Sequence, residues 1–298
     1  MRYGMFFYNR NIYLPMSKKC CNFAPRYEIL NFWRKIMGEM LLTTNQKVYL
    51  YQYARNVQLE NFEKWLNSPI YRIMPLERVL QIYENKELYF PNISRCWEDP
   101  YELFVYKQHY IYNGYNLDVN EVLQHHYGQC WSRRKDSDAM WRIYSPDMKS
   151  VRLKSTIGRV INALFLGKGN DMVLNYGIVK YYNLRGIETW LKNNFTGSFS
   201  DEYVINSYFI KRTNFSHEEE VRFIISTPTT DGTNMFPALN GIKITIQPDD
   251  VISQIALDPR LPKDRCDVLE NLLLRYTGHN TKVVQSRLYQ MKPLTISV

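Results

Sequence analysis

Phe215-Ser216-His217-Glu218-Glu219-Glu220-Val221-Arg222-Phe223-Ile224-Ile225 runs an acidic cluster straight into an alternating, β-branched stretch. Alternation with period two is the mark of a strand, so residues 220–225 read as one. Glu218 and Glu220, spaced i, i+2 at its entrance, are expected on one face, and Arg222 extends that face. Two like charges so placed raise at least one carboxyl pKa and repel each other unless a cation or substrate sits between them. A solvated strand edge with a Glu/Arg ladder would use the same residues.

Working outward, residues 45–67 read as helical, with Leu59, Phe62 and Trp65 on one apolar face. A short strand is expected over 69–74, a helix from Pro75, where a missing N–H costs nothing, and a second strand over 87–90. A polar loop follows over 94–102, then a helix over 119–126 and a strand over 127–132. Asp136 or Ser137 can cap a helix carrying Met140, Trp141 and Tyr144. A strand near 151–153, a helix over 155–165, one strand over 173–182 and a helix over 184–195 complete the middle. Late strands are expected over 242–246, 252–257 and 281–284, with a helix over 263–276 before the last. Short strands interleaved with helices, without regular βα repetition, predict an α+β fold. Residues 1–44 read as a basic N-terminal extension and 45–298 as one domain.

Composition narrows the function. The 298 residues are 45% hydrophobic and 22% charged, which excludes intrinsic disorder for the bulk of the chain. The net charge of +9 is concentrated. Residues 1–40 carry a net +5 and residues 133–168 a net +6, so two zones attract polyanions. Five cysteines without a CxxC pair argue for a reducing compartment, and no run approaches a membrane span, so a cytoplasmic protein is expected. Tyr, at 24 residues, supplies rings suited to stacking or to wet core edges.

GxGxxG, GxxxxGK[ST], HExxH and GxSxG are all absent. His125-His126-x3-Cys130 is the one metal-like cluster, too sparse to support a site, so no metal is expected. Three segments could carry chemistry. Tyr71-Arg72 puts a guanidinium among apolar neighbours, where it needs a phosphate or carboxylate, or else Glu98, Asp99 or Glu102. Cys130-Trp131-Ser132 ends a strand just before Arg133-Arg134-Lys135, so a hydroxyl sits beside a basic turn. The third is the Glu218–Glu220 pair.

Taken in order, Ile70-Tyr71-Arg72, Leu88-Tyr89-Phe90 with Trp97-Glu98-Asp99-Pro100-Tyr101-Glu102, Cys130-Trp131-Ser132 with Met140-Trp141-x2-Tyr144, and Lys211-x3-Phe215-x2-Glu218-x-Glu220-x-Arg222 resemble the bacterial family called domain of unknown function 2971. Val251-Ile252-x2-Ile255-Ala256-Leu257 and Gln285-Ser286-Arg287-Leu288-Tyr289 extend the likeness, which covers roughly residues 65–290. The order Arg, strand-end Ser, then Glu-x-Glu also resembles the Arg-Ser-Glu class of ADP-ribosyltransferases. That resemblance implies a mixed or antiparallel split sheet flanked by helices, and NAD as substrate, with Arg72 on its phosphates or ribose and Ser132 orienting the nicotinamide ribose and supporting the strand of Glu220. Glu220 would be the catalytic carboxylate and Glu218 would position the acceptor. Tyr71, Tyr101, Trp131, Trp141 or Tyr144 would stack on nicotinamide or on an acceptor base, or else pack into the core. Cys130 and Trp131 depart from the small or hydroxyl residues common there. Arg133, Arg134 and Lys135 would hold pyrophosphate or a nucleic-acid acceptor. The resemblance implies a toxin or defence effector restrained by an antitoxin protein. Two other readings use the same residues: a non-catalytic nucleic-acid-binding or scaffold protein, and a metal-dependent nuclease built on Asp99, Glu218 and Glu220.

Overall fold

The structure, a computed structural model, describes residues 64–112, 115–117, 123–168, 172–195, 201–228 and 238–296, except 292 and 294. The extension expected over 1–44 and most of the helix expected over 45–67 lie outside them. In chain order the strands are β1 Pro69–Pro75, β2 Glu87–Pro91, β3 Tyr110–Tyr112, β4 Tyr115–Leu117, β5 His126–Ser132, β6 Ser150–Thr156, β7 Val173–Ile178, β8 Lys180–Tyr182, β9 Ile210–Arg212, β10 Glu220–Ser226, β11 Gly241–Thr245, β12 Gln254–Leu257 and β13 Lys282–Gln285. The fold is α+β. Seven strands form the main sheet in the order β13-β12-β6-β1-β5-β10-β7. All its neighbours are antiparallel except the β12–β13 pair.

One junction of that sheet is unlike the rest. β1 pairs with β6 from Pro69 to Pro75 and β10 pairs with β5 from Glu220 to Ser226. Between β1 and β5 the only paired position is Tyr71 with Ser132. The two strands then diverge, and the residues a continued register would join, Arg72 with Trp131 and Ile73 with Cys130, open onto a cavity instead. The sheet is therefore split, as expected, and the split is where the cavity lies.

Several boundaries differ from the expectation. The helix Ile157–Gly167 starts two residues late because Ser155 and Thr156 finish β6, and Thr156 Oγ1 caps it by accepting from Arg159 N–H at 3.3 Å. The single strand expected over 173–182 breaks at Val179, whose N–H donates to the Glu220 carbonyl at 2.9 Å. β7 stays with β10, whereas β8 leaves to pair with β9. β12 starts at Gln254 because Pro248–Val251 coils into a helical turn. Of the helix expected over 119–126, residues 119–122 lie outside the described residues, and His126 already belongs to β5. Ile93–Cys96 is a short helix inside the expected loop, capped by Asn92, whose side chain accepts from Ser94 N–H at 3.0 Å. Ser137 is the cap of Asp138–Tyr144.

A second apolar cluster backs the cavity wall. Ile93, Phe104, Val105, Tyr208, Ile210 and Ile224 pack there, with Trp97 and Trp190 against them. This cluster includes Ile210 of β9 and Ile224 of β10, the strands that carry Lys211, Glu220 and Arg222. Elsewhere, Gly167 ends its helix hard against β11. A Cβ there would sit 1.8 Å from the Thr245 carbonyl oxygen, a backbone atom that cannot swing aside. Gly167→Ala should therefore cost about 1–3 kcal/mol, as other overpacked cores do. Urea unfolding checks this: the midpoint should fall with the slope unchanged.

Candidate functional site

The cavity in the split has a volume of about 920 Å³. Tyr71, Arg72, Trp131, Ser132, Arg134, Lys135, Trp141, Glu218 and Glu220 all line it. Residues far apart in sequence thus meet in one place, because β1, β5 and β10 lie side by side. Arg133 is exposed and is not among the lining residues.

Ser132 is the hinge of the site. Its hydroxyl donates to the Glu218 carbonyl at 2.5 Å and accepts from Arg134 N–H at 3.0 Å. Across the ladder it faces Glu220. With its proton committed to the backbone, the hydroxyl clamps the turn before β10; of its two expected roles, supporting the Glu220 strand is the one this geometry fits.

Glu218 does not belong to β10, contrary to the strand-alternation expectation. It ends the 3-10 turn Thr213–Glu218, and Glu219 follows in the left-handed region at φ 44°. That reversal, and not the pleat, brings the two carboxylates together. A cation does sit between them. Lys211 Nζ is 2.6 Å from Glu218 Oε2, 3.0 Å from Glu220 Oε1 and 3.3 Å from Glu102 Oε1. Arg222, wholly buried, donates from Nε to Glu220 Oε2 at 2.6 Å, from Nη1 to the Tyr208 carbonyl at 2.7 Å, and also pairs with Glu102. Its guanidinium lies 4.2 Å from the Trp97 ring centre, and Lys211 Nζ 4.6 Å from that of Phe215.

Three carboxylates therefore share two cations, an excess of one negative charge in a buried cluster. Protonation of one carboxyl balances it. Glu218 is the group that takes the proton most readily: burial, and then the hydrogen bond and charge of Glu220 beside it, raise its pKa to about 7. Burial also opposes ionisation of Glu220, but the Arg222 and Lys211 charges outweigh it and hold that carboxyl below its usual range. Tyr144 donates to Glu218 Oε1 at 3.0 Å, and Tyr181 OH accepts from Glu220 N–H at 2.8 Å.

Arg72, unlike Lys211, Arg222 and Arg152, makes no ion pair among the described residues. Glu102 is taken by Lys211 and Arg222, Asp99 by Arg212 at 2.8 Å, and Glu98 forms no ion pair among the described residues, so none of the three expected carboxylates reaches Arg72. Its Nη1 is buried with no hydrogen-bond partner, and burial pushes its pKa down. A desolvated guanidinium without an acceptor is costly, and an anionic ligand in the cavity would supply one.

The aromatic expectations need correction. Tyr71, Trp131 and Trp141 are buried, so they form walls and not open stacking faces. Arg152 sits over the Tyr71 ring at 5.1 Å and the Trp141 ring at 5.9 Å, and pairs with Asp136. Trp131 donates to Gln129 Oε1 at 2.9 Å. The basic trio also divides: Arg134 is paired with Glu219, Lys135 is exposed at the cavity, and Arg133 lies off it. Lys211 and Glu102, the core of the charge cluster, were not singled out from sequence as site residues. A lysine directly after Tyr208-Phe209-Ile210 was the available signal, since an ammonium in an apolar strand needs carboxylates. Among the described residues no group of three or more His, Cys, Asp or Glu is placed to hold a metal ion. The three carboxylates of the nuclease reading do not converge: Asp99 is held by Arg212 and does not line the cavity.

No protein-family model matches the chain, so the resemblance to domain of unknown function 2971 finds no support there, and no curated protein matches it. Among solved structures it is loosely similar to Thermus sp. 2.9 DarT in complex with ADP-ribosylated ssDNA, at 10% identity and TM-score 0.33, over 74% of this chain and 95% of that one. The same protein in complex with NAD+ gives 9% identity and TM-score 0.33, over 74% and 96% of the two chains. At those scores the likeness assigns no role to any residue here.

Removing Lys211 should expose the charge imbalance. In Lys211→Met the carboxylates lose their shared cation, and their folded-state pKa values rise above the unfolded ones. Stability is then retained at acid pH and lost as pH rises through those raised values. We expect a loss of about 3–5 kcal/mol at neutral pH, with partial recovery near pH 5. Urea unfolding at both pH values measures it.

Proposed function

We propose that this chain is an NAD-dependent ADP-ribosyltransferase that modifies a nucleic acid, RNA or DNA. We further propose that it acts in the cytoplasm as a toxin or defence effector restrained by an antitoxin protein. The observation that carries the reading is the convergence of Arg72, Ser132, Glu218 and Glu220 on one cavity, with the Arg72 guanidinium still lacking an acceptor. A cavity of about 920 Å³ lies at the upper end of the range for small-molecule sites, roughly 300–1,000 Å³.

NAD supplies ADP-ribose, with nicotinamide as leaving group. Arg72 would hold its phosphate or ribose oxygens. Glu220 has both oxygens fixed by cations, so it acts as an oriented anion and not as a proton carrier. It would stabilise the positive charge that builds on the ribose as the bond to nicotinamide breaks. Glu218, with its raised pKa, suits proton transfer. It would take the acceptor's proton as the acceptor lone pair bonds C1′ and nicotinamide leaves with the electrons of the broken bond. The same ion pairs around Glu220 would serve a purely structural carboxylate, which favours the non-catalytic nucleic-acid-binding reading; transfer separates the two.

Labelled NAD incubated with the full chain and RNA, DNA or protein fractions should label a nucleic acid. Glu220→Gln should lower transfer by about 10²–10³-fold, the usual loss of an electrostatic stabiliser. Label on none of the fractions would leave only the binding reading. Arg72→Ala should raise KM for NAD by about 10- to 100-fold with a smaller change in kcat.

The pH profile carries a further expectation. Glu218 accepts a proton only once ionised, so kcat should climb with pH along a limb lying above the ordinary carboxylate range. Glu218→Gln should flatten that limb.

A further inference from the structure

Two tyrosines stand exposed beside the cavity, and both are tethered at the hydroxyl. Tyr144 is 41% exposed and bound to Glu218. Tyr89, in β2, is 47% exposed and lines the cavity. Leu88 and Phe90 on either side of it face the core, so its ring is turned outward by the pleat. The distal end of that ring lies directly over Gly241: a Cβ there would come within 2.3 Å of its Cζ and OH. The Tyr89 hydroxyl donates to the Asn240 carbonyl at 3.2 Å. The Tyr89 carbonyl accepts from Gln129 Nε2 at 3.1 Å, which ties this strand to β5. A large apolar ring is thus left uncovered and yet held at both ends.

The surroundings are cationic. Arg72, Arg78, Arg134, Lys135, Arg152 and Lys243 line the cavity against three carboxylates, Glu87, Glu218 and Glu220. Lys243 pairs with Glu87 at 3.0 Å and Arg134 with Glu219, whereas the exposed Arg78 and Lys135 form no salt bridge among the described residues. A preset ring beside available cations is what an unpaired base and its phosphates require. A duplex keeps its bases stacked and offers no face to a ring inside a concavity.

We propose that Tyr89, seated over Gly241, is the stacking platform for one base of a single-stranded nucleic acid, with Arg78 and Lys135 taking its phosphates. As an acceptor site this rests on the transferase reading; as a binding site it stands on its own geometry.

Polarisation binding of labelled, short, mixed-sequence single-stranded DNA, single-stranded RNA and duplex DNA to the full chain tests it. We expect single strands to bind more tightly than duplex. Tyr89→Ala should weaken single-strand binding by roughly 5- to 150-fold, the range for a lost base–aromatic stack. Tyr89→Trp should restore it. Gly241→Ala, which keeps the tyrosine but displaces its ring, should weaken binding in the same direction. Circular dichroism melts identify any variant that fails to fold, and the Trp variant then decides. Wild-type affinity in Tyr89→Ala, equal binding of duplex, or equal binding of polyglutamate would overturn the platform. Wild-type transfer from NAD with Tyr89-independent binding would overturn the platform and leave the transferase. Tyr89-dependent binding with no transfer would support the platform and overturn the transferase.

Discussion

A single backbone pairing, Tyr71 opposite Ser132, holds together two halves of a sheet that otherwise part. On one side β1 is anchored to β6; on the other β5 is anchored to β10. Unpaired backbone on diverging strands must find solvent or a ligand, so the split creates a cavity at mid-sheet. Ser132 sits at its apex, and its hydroxyl also fixes the turn that delivers the carboxylates. Sheet geometry and site geometry are therefore set by one residue position.

The buried charges follow from that placement. β10 brings Glu220 to the cavity wall with Arg222 paired to it, and β9 brings Lys211 beside them. Five ionisable groups in low dielectric persist only if nearly every charge has a partner. Three carboxylates against two cations leave one negative charge unmatched, and Glu218 takes up a proton most readily because burial and Glu220 act together to raise its pKa. Two neighbouring carboxyls with opposed pKa shifts are suited to different tasks. Arg72 is the exception, a guanidinium whose buried Nη1 the protein leaves unsatisfied.

Much of the architecture was legible in the chain. Alternation at 220–225, the strand with Arg72 and the strand ending in Ser132 are all observed, because burial on one or both faces of a strand writes itself into side-chain polarity. The strand expected over 173–182 is two strands, and no Gly or Pro at Val179 marks the break: Val179 N–H still bonds Glu220 in the β7–β10 register, and the chain leaves that ladder at Lys180, whose N–H donates to the Phe209 carbonyl, distant in sequence. Glu218 and Glu220 were rightly paired but for the wrong reason, since a left-handed residue between them has no signature in a run of three glutamates. Trp131 and Trp141 looked like stacking rings, and only packing shows them walled in.

By itself the sequence determined the alternating hydrophobic pattern, hence the α+β class, and the residue types able to handle anions. Those depend on local periodicity and on side-chain chemistry, which are fixed once the order of residues is fixed. The tertiary structure alone decided which partners each charge received, which rings stayed open, and where the sheet came apart. Those outcomes depend on distances between segments up to about 150 residues apart, such as β1 and β10, and energies of pairing and burial act through space and not along the chain.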